Sequence, residues 1–326
     1  MALLVGVDEA GYGPRIGPLV LALTAWQLPR ESQTRDPHIL ETLLRAVVRR
    51  DGEAQGTPEK VCIDDSKKIY RSPRDLPKLE IAALSLLQLA GFAGKCLQEL
   101  LPFVDQGLDP RWKELPWLKE GVCLLPRSIS PQSLESAKIA IRQQLTAHRV
   151  QLVACRAKIL FEPIFNEYIR LLGNKAALAA EVVVELLTQV LIPPKDEAVV
   201  LIDRQGGRIY YGQLVGRIAQ MLPAAELQVV NESPERSQYR IITSLGNWDF
   251  GFWKKAEQFL PVAAASMIAK YIRELVLICF NSFWCHRVPG LRPTAGYPGD
   301  AKRFKTAIAA SQEALQIPDD WLWRIK

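Results

Sequence analysis

The sequence feature that most constrains the fold is a pair of apolar segments at the amino terminus, joined by a turn rich in glycine and proline. Residues 2–7 and 19–26 are almost wholly apolar, whereas residues 11–18 contain three glycines and two prolines. Short apolar runs bounded by such residues are typical of buried strands. We therefore predict an amino-terminal antiparallel hairpin, with Asp8 and Glu9 at the end of its first strand.

Strand-like and helix-like segments alternate along the rest of the chain. Apolar pairs at helical spacing and short apolar runs mark them. Helices are predicted at 38–50, 75–101, 132–148, 161–192, 259–280 and 300–315, strands at 61–64, 150–158 and 198–203, and a hairpin at 226–245. Residues 102–130 are rich in proline and tryptophan and are predicted to be irregular. This alternation, opened by a hairpin, predicts an α/β fold with a mixed sheet.

Composition limits the classes of protein to which the chain can belong. Its 326 residues are 48% hydrophobic, and 41 Lys and Arg against 35 Asp and Glu give a net charge of +6. A basic excess of this size is compatible with a polyanionic partner but does not require one. The six cysteines form no close pair, which disfavours zinc and disulfides. Without a signal peptide or a long apolar run, a cytoplasmic protein is expected.

Three acidic residues lie where a sheet would hold them rigidly. Asp8 and Glu9 close the first strand, and Asp203 closes the similarly apolar strand at 198–203. Converging carboxylates are what a metal-dependent phosphodiesterase needs, although acidic residues also commonly end strands at turns. The glycines at 11, 13 and 17 fit neither a dinucleotide fingerprint nor a P-loop. The three histidines have no nucleophile elbow or metal spacing around them.

Five segments carry a more specific signal. They are VGVDEAGYGPRIGPLV at 5–20, DDSKKI at 64–69, VVLIDR at 199–204, KKAEQFLPVAAASMIAKYIRE at 254–274 and TAGYPG at 294–299. In this order they resemble the motifs of the ribonuclease HII (type 2 ribonuclease H) family, as in a divergent member with insertions. The resemblance implies a ribonuclease H-like α/β fold, in which helices flank a mixed β-sheet. A helical insertion and a carboxyl-terminal helical extension would complete it.

The resemblance also implies a site and a domain organisation. Catalytic and metal-ligating roles fall on Asp8, Glu9, Asp203 and Glu274, which would hold two Mg²⁺ or Mn²⁺ ions. Substrate-binding roles fall on Gly11, Tyr12, Gly13, Lys67, Lys270 and Tyr297. A catalytic domain would span 1–290, with insertions at about 31–59 and 96–149, and a helical extension would span 291–326. For Lys67, Lys270 and Tyr297, the alternatives are a solvated charge, a salt-bridged helix face and a tyrosine covering a helix end.

Three positions depart from the family pattern. Tyr12 stands in place of an arginine, Glu274 in place of the usual aspartate, and residues 254–257 read Lys-Lys-Ala-Glu instead of His-Lys-Ala-Asp. The expected function is a metal-dependent endoribonuclease that cuts RNA in RNA–DNA hybrids or ribonucleotides embedded in DNA. Its expected partner is nucleic acid and not a membrane, and it is expected to be a monomer. The alternatives are a binding protein with weak or no catalysis, and a nuclease or resolvase with another nucleic-acid substrate.

Overall fold

The fold is described from a computed structural model of the chain. The structure describes residues 2–29, 36–55, 59–191, 197–205 and 208–325. Part of the predicted insertion at 31–59 therefore lies outside the described residues. Among the residues that are described, no helix is long and apolar enough to cross a membrane.

A seven-stranded mixed sheet forms the centre of the molecule, with strand order β5-β2-β1-β6-β9-β8-β7. β1 is parallel to β6, and β6 is parallel to β9, whereas the remaining pairs are antiparallel. The strands are β1 (Ala2–Ala10), β2 (Leu19–Leu28), β5 (Gln151–Leu160), β6 (Glu197–Asp203), β7 (Glu226–Glu232), β8 (Arg236–Thr243) and β9 (Gly246–Trp253), with a separate parallel pair of β3 (Val48–Arg49) and β4 (Val61–Cys62). This arrangement confirms the predicted mixed-sheet α/β class and the amino-terminal hairpin.

Helices cover both faces of the sheet. They are α1 (Ile39–Leu44), α2 (Ser66–Ile69), α3 (Leu76–Leu89), α4 (Leu97–Val104), α5 (Pro116–Lys119), α6 (Pro131–Ala147), α7 (Glu162–Leu172), α8 (Lys175–Leu191), α9 (Gly212–Gln220), α10 (Leu260–Arg287), α11 (Pro298–Ala314) and α12 (Asp319–Leu322). Helices α3, α6 and α10 pack in the core on one face, and α7, α8 and α9 pack on the other. Because β1 is buried on both faces, its side chains are apolar without alternation.

Three predicted elements differ from the structure. The helix predicted at 75–101 is divided into α3 and α4, which are separated by residues 90–96. The helix predicted at 38–50 ends at Leu44, and Val48 pairs with Val61 in a short strand, where β-branched side chains fit well. The hairpin predicted at 226–245 is continued by β9, which the sequence analysis missed. Gly246 and Gly251 weaken its strand signal, yet Trp248, Phe250 and Phe252 alternate into the core.

The start of α10 lies directly against the hairpin. A side chain at Gly6 of β1 would overlap the backbone of Pro261, so only glycine allows this approach. The Thr24 hydroxyl of β2 donates a hydrogen bond of 2.8 Å to the Pro261 carbonyl. The residues just before α10 are thereby held beside the end of β1.

The carboxyl-terminal helices share the main core. Phe304 and Ile308 of α11 and Leu322 of α12 are fully buried in the same cluster as α3 and α10. The predicted division between residues 1–290 and 291–326 remains a prediction.

Candidate carboxylate site

Asp8 and Asp203 lie side by side at the ends of two parallel strands. The register pairs Val7 with Ile202, so each aspartate is the next residue along its strand. Asp8 Oδ1 accepts a hydrogen bond of 2.7 Å from the Glu9 amide, which fixes one of its oxygens. The parallel register thus brings together two carboxylates that are far apart in sequence.

A fourth acidic residue, Glu257, joins them from the turn between β9 and α10. Lys255 adopts a left-handed conformation with φ of 60°, which is uncommon for a residue other than glycine. The reversal presents the Ala256 amide to Asp203 Oδ1 at 2.9 Å and buries Glu257 next to the strand ends. The sequence analysis assigned no role to Glu257. The signal that could have identified it is its place in the matched Lys-Lys-Ala-Glu segment at 254–257.

Burial and neighbouring negative charges raise the pKa values of the four carboxylates. Burial raises the pKa of Asp8 well above its usual range, and the charges of Glu9 and Asp203 raise it further. Burial likewise raises the pKa of Glu9 to about 7, with Asp203 adding to the rise. Burial also raises the pKa of Glu257, and the negative charge of Asp203 is the next largest cause of the rise. The cluster therefore has too much negative charge for its buried surroundings and would attract cations.

Lys67 supplies the nearest positive charge. It belongs to α2, whose first turn is capped by Asp65, and its Nζ lies 3.9 Å from Glu257 Oε1. Burial lowers the pKa of Lys67, but the carboxylates around it, Asp8 first among them, shift it upward overall. A hydrogen bond of 2.9 Å between Ser66 and Ser266 ties α2 to α10. The structure therefore places Lys67 at the cluster, and its expected role in binding substrate remains a prediction.

Glu274, the fourth carboxylate expected from sequence, is engaged elsewhere. Its Oε1 lies 2.8 Å from Lys270 Nζ and 3.1 Å from Nη1 of the buried Arg273. Ser266, whose hydroxyl donates a hydrogen bond to Ser66 of α2 beside the cluster, precedes Glu274 by two helical turns, about 12 Å along α10. The structure therefore places Glu257, and not Glu274, with the other three carboxylates, and a catalytic or metal-ligating role of Glu274 remains a prediction. Lys270 forms the salt-bridged helix face that was its alternative interpretation.

Residues 11–17, called here the glycine loop, connect β1 to β2 beside the cluster. Gly11 has a φ of +92°, and a side chain there would lie 2.6 Å from the Pro18 carbonyl oxygen. A side chain at Gly13 would meet nothing within 4 Å, so the backbone there faces open space. Tyr12 lies between them, half-buried, with the Lys175 ammonium 5.8 Å from its ring centre. The loop thus offers an accessible backbone at Gly13.

Tyr297 lies next to the glycine loop and is 55% exposed. The preceding Gly296 accepts a hydrogen bond of 2.7 Å from the Arg15 amide. Arg273 reaches the same place, because its Nη2 donates to the carbonyls of Ile16 and Ala295 at 3.2 and 3.1 Å. The exposed aromatic ring and the loop are thus connected through backbone contacts.

No protein-family model and no curated protein matches the chain. The chain is similar in structure to ribonucleases HII and HIII. With ribonuclease HII in its complex with PCNA from Archaeoglobus fulgidus it shares 16% identity, over 99% of this chain and 94% of that chain, at a TM-score of 0.40. With ribonuclease H2 from Pyrococcus horikoshii OT3 it shares 15% identity, over 98% of this chain and 92% of that chain, at a TM-score of 0.42. With Bst-RNase HIII in complex with Mn²⁺ it shares 15% identity, over 99% of this chain and 66% of that chain, at a TM-score of 0.39.

The donor chemistry of the cluster suits a hard divalent cation. Asp8, Glu9, Asp203 and Glu257 offer only carboxylate oxygens, which Mg²⁺ and Mn²⁺ prefer. Across the described ranges, no three His, Cys, Asp or Glu side chains already have the arrangement of metal ligands. The fit therefore rests on ligand type and on the mutual repulsion of these groups.

Proposed function

We propose that the chain is a divalent-metal-dependent endonuclease that cuts the RNA strand of RNA–DNA hybrids or ribonucleotides embedded in DNA. The observation that carries the proposal is the group of four carboxylates, supplied by three separate segments of the chain, of which Asp8 and Glu257 are buried and Glu9 and Asp203 half-buried. The motif resemblance supports it independently, because its segments contain all four residues. Mg²⁺ or Mn²⁺ bound by these carboxylates would supply the positive charge that activates water and stabilises the leaving oxygen.

The chain's own residues would position the substrate around this group. The Gly13 backbone faces open space, so the minor groove of a duplex could approach it and its polar groups could meet a ribose 2′-hydroxyl. The exposed ring of Tyr297 could stack on a sugar or base at the same place. The Lys67 ammonium, whose side chain is 80% exposed, would contact a backbone phosphate.

Cleavage assays on three duplexes test the proposal directly. The substrates are an RNA–DNA hybrid, a DNA duplex with one embedded ribonucleotide and an all-DNA duplex, each with Mg²⁺ and with Mn²⁺. We expect cutting of the first two alone, ending in a 3′-hydroxyl and a 5′-phosphate. Asp8→Asn should lower kcat more than about 100-fold, since even residues that only support metal ligands cost 10–100-fold.

A matched control separates the site from the sheet that carries it. Asp249 lies on β9 and is ion-paired with Arg240 at 2.6 Å, away from the strand ends, so Asp249→Asn should retain full activity. Equal cutting of the all-DNA duplex would point to a nuclease with another substrate. Binding of the hybrid without any cutting would favour a nucleic-acid-binding protein, the alternative suggested by Tyr12 in place of an arginine.

A further inference from the structure

The carboxyl-terminal residues 323–325, called here the tail, lie against the glycine loop. The Arg324 amide donates a hydrogen bond of 2.9 Å to the Arg15 carbonyl. In return, Arg15 Nη1 donates to the Arg324 carbonyl at 3.0 Å. The loop and the tail thus hold each other from opposite ends of the sequence.

Asn166 of α7 fixes the tail from its other side. Its Nδ2 donates to the Trp323 carbonyl, and its Oδ1 accepts from the Ile325 amide, both at 2.8 Å. The side chain of Asn166 is fully buried. The two bonds lie on either side of Arg324 and set the direction in which its side chain points.

The side chain of Arg324 is fully buried next to the loop. Its guanidinium lies 4.9 Å from the Phe165 ring centre, and within the described part of the chain none of its three nitrogens has a hydrogen-bond partner. A buried charge without hydrogen bonds is costly. A methionine or leucine could fill the same volume at lower cost, so packing alone does not account for an arginine at this position.

The positive charge of Arg324 offsets the negative charge of Glu162, and Glu162 holds the glycine loop from the interior of the protein. Glu162 is buried, and its Oε1 accepts a hydrogen bond of 2.6 Å from the Gly17 amide. Burial raises the pKa of Glu162 to about 7, and the charges of Arg324 and Arg273 oppose this rise and favour the charged form. Phe165, over which the Arg324 guanidinium lies, is three residues from Glu162 on α7, so the two residues share one side of the helix. An amide donates a stronger hydrogen bond to a charged carboxylate than to a neutral one. Arg324 thus strengthens the contact that fixes the loop at Gly17.

We propose that Arg324 is a positioning residue that sets how well the site distinguishes a ribonucleotide from a deoxyribonucleotide. The proposal rests on the proposed function. The loop that offers its backbone to the ribose is held at Arg15 by the tail and at Gly17 by Glu162. With Arg324 in place, the Gly13 backbone stays where a 2′-hydroxyl would meet it. Without Arg324, the loop samples other positions, and the 2′-hydroxyl contributes less to alignment.

Steady-state kinetics of Arg324→Met and Arg324→Lys test this role. Methionine keeps the packing against Phe165 and removes the charge, whereas lysine keeps the charge. We expect Arg324→Met to lower kcat on the embedded ribonucleotide about 10–100-fold, because small misplacements have such effects. KM should change less than about twofold, and the preference for ribonucleotide over DNA should fall. Arg324→Lys should recover part of the loss in kcat and part of the loss in preference. Arg217→Met, which breaks an exposed pair with Glu181, is the matched control.

Amide hydrogen exchange of the free protein provides a measurement that does not depend on activity. Residues 11–17 should exchange faster in Arg324→Met than in wild type or Arg217→Met, while β1 and β6 remain protected. If Arg324→Met fails to fold, Asn166→Ala, which releases the tail backbone, should show the same loop exchange. Unchanged exchange and unchanged kcat in a folded variant would overturn the proposal. A wild-type protein that cuts none of the substrates would refute the proposed function. In that case the amide exchange of residues 11–17 would still show whether Arg324 positions the loop.

Discussion

Two acidic residues, Glu257 just before α10 and Glu274 in the middle of α10, have opposite surroundings. Glu257 precedes the helix and lies among three other carboxylates, with one lysine at 3.9 Å. Glu274 lies inside the helix and contacts two cations within 3.1 Å. The first position accumulates negative charge that an added cation would neutralise, whereas the second is already neutralised. The comparison shows that the partners of a carboxylate, more than its place in a motif, indicate its role.

The largest expected difference between the two positions is catalytic. Glu257→Gln should lower kcat by more than about 100-fold, because it removes a carboxylate from the proposed cation-binding group. Glu274→Gln should lower it by less than about tenfold, because the change acts only through Arg273 and the glycine loop. Measuring both variants on the ribonucleotide-containing duplex checks this order. If Glu274→Gln proved the more damaging, the assignment of Glu257 would be wrong.

The order should reverse for stability. Glu274→Gln leaves the buried Arg273 guanidinium without its charged partner, and breaking such a pair costs about 2–5 kcal/mol. Glu257→Gln removes repulsion among the carboxylates and should leave the metal-free protein as stable as wild type or more stable. Urea unfolding of both variants, with EDTA present, measures the two free energies. A destabilised Glu257→Gln protein would show that this carboxylate stabilises the turn before α10.

The carboxylate cluster should also make stability depend on pH in the absence of metal. The pKa of Glu9 rises from 4.5 to about 7 on folding, so between these pH values the folded state binds a proton that the unfolded state has released. Stability therefore falls as pH rises through this window and levels off above it. Relative to Glu9→Gln, wild type should lose about 1–3 kcal/mol across the window. Identical pH profiles for the two proteins would contradict this expectation.

The smallest expected effect concerns the glycine loop, which Arg273 holds near Glu274. Tyr12→Arg introduces a cation beside an exposed backbone, and one charge-assisted phosphate contact contributes about 1.5–3 kcal/mol. We expect tighter binding of the hybrid. The kcat should not change, because Tyr12 is part of neither the carboxylate cluster nor the ion pairs of Glu274. Binding titrations at two salt concentrations check it, since a new phosphate contact steepens the salt dependence. Unchanged affinity would mean that the loop does not approach the phosphates.

The sequence predicted the parts of the fold that have local signals. Strands β1, β2 and β6 are continuous apolar runs, and the alignment of their ends brings Asp8 and Asp203 together. The sequence did not single out Glu257, because two acidic residues lie within one matched segment, and spacing alone did not distinguish their surroundings. The left-handed turn at Lys255 has no signal in residue type, because glycine is the usual residue there.

The contacts that join the tail, α7 and the glycine loop could not be predicted from the sequence. Nothing local in Arg324 or Glu162 indicates that both hold the glycine loop, because neither belongs to one of the matched motifs. The burial of Arg324 depends on Asn166 and on the tail conformation, which only the assembled fold determines. Such charged contacts form after packing and leave no period in the sequence.

The approach of α10 to Gly6 has a consequence for how the protein is made. The hydrogen bond from Thr24 to Pro261 spans 237 residues, so the hairpin that carries Asp8 leaves the ribosome long before the helix that covers it. At about 5–20 residues per second, this interval lasts about 10–50 s. During it, the apolar face of β1 and β2 has no covering helix and is available for non-native association. The first residues of the site to be synthesised are therefore among the last to be enclosed, and chaperone supply during translation should govern the yield of folded protein.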